Sequence, residues 1–174
     1  MTSDPGSSPG PAIRQATLAD VDAIVEIYLS NARHHAALAP AAYRVPETDA
    51  VRERFTRMIE NADEEDLHLV AEVDGRVVGA LDAFRRPDGS PGSMRLPSRT
   101  AEFGIGVLAA YRGRGVGSAL LAATETWARA EGLDALVLDV ADENVDAERL
   151  YERVGYRPMS RTMTKPLVRD TAGG

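Results

Sequence analysis

Apolar residues recur along the chain with two periods, and the switches between them divide it into elements. Ile13-Arg14-Gln15-Ala16 reads as a short strand. Thr17 follows as a helix N-cap, with Asp20 in the acidic position of a capping box. From about Leu18 to Ala32, the residues Val21, Ile24, Val25 and Tyr28 fall at helical spacing. His34 to Arg44 is alanine-rich and contains Pro40, so both helix and loop stay open there. Beyond Pro46 a second amphipathic helix is predicted over about 49–61, with Val51, Phe55, Met58 and Ile59 on one face. Leu67 to Val73 is apolar and extended, Asp74-Gly75 is a strong hairpin turn, and Arg76 to Phe84 returns as the partner strand.

The second half alternates in the same way. Arg85 to Arg99 holds three prolines and two glycines and reads as a loop. A strand near 100–107 leads into a glycine-rich turn, then a helix from Ala119 to Glu131 that Gly132 caps. Leu133 to Val140 is a further strand. Asn144 opens a short helix with Ala147, Leu150, Tyr151 and Val154, and Gly155 ends it. Tyr156 and the segment from Ser160 to Leu167 complete an α/β (α+β) pattern without internal repeats. One domain over residues 12–168 is expected, between a disordered tail at 1–11 and a short tail at 169–174.

Composition narrows the function. The 174 residues are 44% hydrophobic and 27% charged, ordinary for a globular domain with its own core. No run approaches the roughly 18 apolar residues of a membrane span, and the N-terminus lacks the apolar stretch of a signal peptide. A cytoplasmic location is the weak expectation. There is no cysteine, which removes disulfides, thiolate metal sites and a Cys nucleophile. The three histidines have no metal-ligand spacing, so no metal is expected. A net charge of −7 argues against a nucleic-acid binder. Of the 20 basic residues only Lys165 is lysine, so any phosphate must be held by arginine and backbone N–H groups.

The stretch Arg112-Gly113-Arg114-Gly115-Val116-Gly117-Ser118 lies between a strand and a helix. Such a turn presents free N–H groups and the positive end of the helix dipole to an anion. It is not a dinucleotide fingerprint, because the third glycine position counted from Gly113 is Ser118. It is not a P-loop either, because that motif needs a lysine. The preceding strand contains Gly104 and Gly106, and glycine within a strand marks a bulge or a close backbone approach. A bulge there would splay the strand and leave its polar groups to an extended amide-bearing ligand. A phosphate end with a peptide-like arm describes coenzyme A.

On these residues the chain resembles the GCN5-related N-acetyltransferase (GNAT) superfamily. Arg112-x-x-Gly115-x-Gly117 is similar to its pyrophosphate motif, and Asn144-x-x-Ala147-x-x-Leu150-Tyr151-Glu152-x-x-Gly155-Tyr156 to its second signature. Ile13-Arg14-x-Ala16-x-x-x-Asp20 and Asp74-Gly75-x-x-Val78-Gly79 also fit, so the resemblance covers about 12–168. It implies a mixed, mostly antiparallel sheet of about six to seven strands, splayed between the fourth and fifth, with about four flanking helices. It implies that backbone groups of Ile105 and Val107 hold the pantetheine arm. Arg112, Gly113, Arg114, Gly115, Val116, Gly117 and Ser118 would cradle the pyrophosphate, and Asn144 would cap its helix and contact the co-substrate.

The implied reaction is direct transfer of the acetyl group of acetyl-CoA to a primary amine on a small molecule or peptide. Only a neutral amine attacks, and a lysine-like amine is roughly 0.1% neutral or less at pH 7. Tyr151 resembles the family's general acid for the departing thiolate. Glu102 resembles a position used for the base, with Asp139 as a second candidate. His34, His35 and Tyr28 are candidates for the acceptor site, and so is the arginine-bearing 85–99 loop. A non-catalytic acyl-CoA-binding module, or a transferase of another acyl group, is the competing reading. Homodimers are common in the family, and this sequence does not decide the point.

Overall fold

A computed structural model describes residues 10–87, 94, 98–160, 162–163 and 165. The chain divides into two compact units, Met1–Asn144 and Val145–Gly174. Most of the 85–99 loop, and both tails except Gly10 and Pro11, lie outside the described residues, as does part of the expected last strand.

The first unit is a five-stranded sheet in chain order. Its strands are β1 (Ala12–Gln15), β2 (Leu67–Val73), β3 (Arg76–Arg85), β4 (Thr100–Val107) and β5 (Ala135–Val137). The first four are antiparallel and β5 runs parallel to β4. The expected six to seven strands become five among the described residues. Asp74 and Gly75 take φ of 50° and 76°, the left-handed pair that an Asp-Gly hairpin turn requires.

Three helices flank this sheet: α1 (Val21–Leu38), α2 (Thr48–Glu60) and α3 (Val116–Ala130). α1 runs through the alanine-rich stretch left open by the sequence, because alanine propagates a helix until Pro40 cannot continue it. α3 starts at Val116 rather than Ala119, so the glycine turn is tighter than expected. Gly132, at φ 63°, closes α3, with Leu133 N–H donating to the Ala128 carbonyl at 2.9 Å. β5 is shorter than the expected 133–140 strand, because it has a ladder partner only over three residues of β4.

Alternation assigns the two faces of the sheet. A Cβ on Gly79 would meet Val116 and Leu120 of α3, so that face of β3 packs on α3. The other face carries Val70 and Ala80 against Val21, Ile24, Val25, Leu29, Val51 and Phe55 of α1 and α2. Gly106 of β4 belongs to this second face. A Cβ there would stand 2.8 Å from Ile27 Cγ2, closer than atoms pack.

α1 is entered through a buried anchor. A 3₁₀ turn over Leu18–Asp20 precedes it, and the Asp20 carboxylate accepts from both Thr17 N–H and Thr17 Oγ1. Arg14 of β1 grips the same carboxylate with two 2.8 Å hydrogen bonds. Asp20 is 6% exposed, and the Arg14 guanidinium holds its carboxyl down at about 2.

Two outcomes follow from this packing. Asp20→Asn should lower the unfolding free energy by about 2 kcal/mol at pH 7. An aspartate depressed from 3.8 stabilises fully above that pH and loses its contribution as pH falls toward 2, so the difference should fade over that window in urea melts. Gly106→Val should cost about 1–3 kcal/mol by forcing Ile27 and α1 off β4, read as a lower urea midpoint.

Candidate active site

β4 is the axis of the site. Its ladder with β3 is unbroken from Arg85–Ala101 to Gly79–Val107, so the bulge expected at Gly104 and Gly106 is absent from that ladder. The register shift lies instead between β2 and β3, where Ala71 faces Gly79 and Glu72 faces Val77, leaving Val78 of β3 as the extra residue. The splay arises on the other side: β4 pairs with β5 only from Thr100 to Glu102. From Gly104 to Val107, no strand covers the outer edge of β4 among the described residues. Ile105 and Val107, named from the sequence for an amide-bearing arm, stand on this open stretch.

The open edge ends at the glycine turn. Gly113 and Gly115 take φ of 71° and 81°. A Cβ on either would meet nothing within 4 Å, so glycine is set there by dihedral angle alone. The first helical hydrogen bond after the turn runs from Ala119 N–H to the Gly115 carbonyl at 2.9 Å. The N–H groups of Val116, Gly117 and Ser118 precede it and have no backbone partner among the described residues. No acidic residue sits in this first turn, so nothing offsets the dipole's attraction for an anion. Val116 is also core, 2% exposed, which fixes the turn against β3. Arg112 Nε donates to the Val107 carbonyl at 3.1 Å, tying the turn to the end of β4. The Arg114 guanidinium lies 5.5 Å over the Tyr111 ring. An open strand edge followed by a cradle of amides and two arginines fits coenzyme A.

The face of the sheet under α1 and α2 carries the remaining chemistry. Glu102 is half-exposed and pairs with Arg86 at 3.4 Å. Asp139 is exposed and lies past the end of β5. Sequence reasoning missed Asp82, which interrupts the apolar run of β3; that interruption was the available signal. Burial pushes its carboxyl up to about 6, against a partial counter-effect from Arg54. Arg54 of α2 stacks on Tyr28 and Phe55 and donates to the Tyr28 hydroxyl at 3.2 Å. Tyr28 also borders a cavity of about 360 Å³ with Asn31, His35, Tyr43 and Arg44. The His35 ring packs against Tyr43 at 5.0 Å and His34 at 6.0 Å. Burial lowers the His35 imidazole pKa, with His34 and Arg112 adding to the effect. Two of the three residues expected at the acceptor end, Tyr28 and His35, therefore share a cavity.

The second unit contains α4 (Val145–Arg153), which Asn144 immediately precedes. Tyr151 packs edge-on against Tyr156 at 5.7 Å, and Gly155 turns the chain at φ 100°. Burial pushes the Tyr151 phenol up to about 12, so it carries its proton throughout the neutral range. Among the described residues no cluster of three or more His, Cys, Asp or Glu is placed to hold a metal. Among the described residues no helix is long and apolar enough to cross a membrane.

Comparison with known proteins agrees with this geometry. The acetyltransferase (GNAT) family model matches residues 26–156. An aminoglycoside N(6')-acetyltransferase type 1 of Stenotrophomonas maltophilia is 31% identical over 153 residues, covering 88% of this chain and 90% of that protein. Among solved structures, a mutant of the BH1408 protein of Bacillus halodurans superimposes with a TM-score of 0.82 at 23% identity, over 90% of this chain and 99% of the other. The aminoglycoside N-acetyltransferase AAC(6')-Iy, solved with CoA, gives 0.67 at 23% identity, over 95% and 99%. The open β4 edge, the amide cradle after it and these matches lead to one conclusion: the chain belongs to the GNAT acetyltransferase family and is an N-acetyltransferase.

Proposed function

We propose that residues 12–168 act as one domain that transfers acetyl from acetyl-CoA to a primary amine of a cationic amino sugar, with both substrates bound together. The observation that carries this reading is the uncovered stretch of β4 running into the free amides at the start of α3. Backbone groups of Ile105 and Val107 take the pantetheine arm. The turn from Gly113 to Ser118 takes the pyrophosphate, with Arg112 and Arg114 adding charge and Asn144 a further contact. The acceptor class rests on the aminoglycoside-acetylating relative and on the chain's net charge of −7, which attracts polycations. Acetyl-CoA is a cytoplasmic metabolite, and we place the enzyme there.

Acetyl-CoA supplies the activated thioester, and the chain supplies position and proton transfer. The acceptor arrives as an ammonium and must lose a proton before it attacks. A carboxylate on the α1–α2 side of β3 and β4 receives that proton; Glu102, the candidate from the sequence, stands on that side but is paired with Arg86. On the leaving side Tyr151, protonated at neutral pH, donates to the CoA sulfur.

Arg112→Ala should weaken CoA binding about tenfold by calorimetry, the loss of one charge-assisted contact. Undiminished affinity would count against the pyrophosphate assignment. Tyr151→Phe should lower kcat by about 100-fold while CoA affinity holds. Thiol release with neamine as acceptor measures this, and a variant as fast as the parent would remove the acid role. CoA binding without release on any amine would favour a non-catalytic module.

A further inference from the structure

His68, Asp82 and Gly104 form one row across three strands. His68 of β2 is the register partner of Asp82, and Asp82 is the register partner of Gly104 on β4. Residues directly opposite in antiparallel strands project on the same face. This row therefore shares the α1–α2 face with Val70, Ala80 and Gly106, one register step away. In that neighbouring row, Ile27 fills the space left by Gly106. In the His68 row the corresponding space, over Gly104, is faced by a carboxylate. Both Asp82 oxygens lie 3.7 Å from where a Gly104 Cβ would stand, and Asp82 Cγ lies at 3.9 Å. The carboxylate thus leans across β4 toward the edge that β5 leaves uncovered.

Among the described residues no cation is paired with this carboxylate. Arg54 of α2 acts on it only at a distance, being held by Tyr28 of α1, and forms no ion pair with it among the described residues. His68 is 6% exposed, and neither ring nitrogen has a hydrogen-bond partner among the described residues. Burial lowers its imidazole pKa, against an opposing pull from Asp66, and so disfavours a cation beside Asp82. Glu102 of β4, on the same face one step along, is engaged by Arg86. A partly buried carboxylate that has no ion-pair partner among the described residues, and that Arg54 influences only at a distance, is a place where a cationic group of a ligand fits.

We propose that Asp82, looking across the side-chain-free Gly104, receives the proton of the acceptor ammonium. This rests on the transferase reading above. The acceptor R–NH3⁺ gives one proton to the Asp82 carboxylate. The freed nitrogen pair forms the C–N bond to the thioester carbonyl, the C–S bond breaks, the CoA sulfur takes a proton from Tyr151, and the second proton of the acylated nitrogen passes through water to the Tyr151 phenolate, leaving the neutral amide. Water then carries the proton from Asp82 to solvent. A carboxyl raised from 3.8 to about 6 is a stronger base than an ordinary aspartate and is still mostly ionised at pH 7.

The test is the pH profile of kcat/KM with acetyl-CoA and neamine for wild type, Asp82→Asn, Asp82→Glu and Glu102→Gln. Acetyl-CoA affinity is measured in parallel by calorimetry. Wild type should lose kcat/KM on the acid side with an apparent pKa near 6. Asp82→Asn should lose about 100-fold and that acid limb, with unchanged acetyl-CoA affinity. Asp82→Glu should recover part of the rate with a displaced limb. Asp82→Asn should also melt no earlier than wild type at pH 7, because a buried carboxyl of raised pKa costs stability when ionised, and the amide removes that cost. An Asp82→Asn enzyme with the wild-type rate and limb overturns the proposal, as does loss of the limb in Glu102→Gln alone. A wild-type protein that binds acetyl-CoA but acetylates no amine overturns the transferase reading and the Asp82 role together.

Discussion

Helix α1 can lie against β4 because Gly106 has no side chain; a Cβ there would sit 2.8 Å from Ile27 Cγ2. That approach sets the height of α1 over the sheet, and with it the position of Tyr28, the next residue along. Tyr28 in turn stacks on Phe55 at 5.3 Å and accepts from Arg54, which joins α2 to the same wall. The cavity beside Tyr28 and His35 and the opening above Gly104 both lie within the frame this contact fixes. Two glycines in one strand thus have different consequences: one brings a helix down onto the sheet, and the other leaves space beside a carboxylate.

The co-substrate side is built from backbone. The β4 edge becomes available because the parallel ladder stops at Glu102, and the amides of α3 because Gly113 and Gly115 adopt left-handed angles. The Val116 side chain anchors that turn in the core, so the free N–H groups are held in place before any ligand arrives. Such a site depends on where the strand and helix begin and end more than on side-chain identity. This suits a chain whose basic residues are almost all arginine.

Much of this was readable from residues. The Asp-Gly hairpin, the Thr17–Asp20 box, the helix-closing Gly132 and Gly155 and the glycine turn all signal through local dihedral requirements, which a short window carries. The splay was anticipated, but its cause was not. Gly104 and Gly106 suggested a bulge, whereas the strand is regular against β3 and is abandoned by β5. That depends on a partner more than 30 residues away in sequence, which local pattern does not encode. Asp82 was missed for a related reason. Within β3 it reads as one charge in an apolar strand, and its setting emerges only when His68, Gly104 and Arg54 converge from three other elements.

The base of the splay is locked more firmly than its short ladder suggests. Asp134 N–H donates to the Arg99 carbonyl at 2.7 Å, and Arg99 N–H donates to the Asp134 carboxylate at 2.8 Å, just below the three paired residues. The Arg99 guanidinium also closes over Gly132, 3.1 Å from where a Cβ would stand. The fork between β4 and the chain after β5 therefore opens from a fixed root. From Glu102 to Val107 the strand extends about 16 Å at ~3.3 Å per residue. Over that lever a tilt of about 5° at the root moves the tip by about 1.4 Å, roughly the length of one C–C bond. Arg99 and Asp134, remote from the glycine turn, thereby fix the point from which β4 and the chain after β5 part.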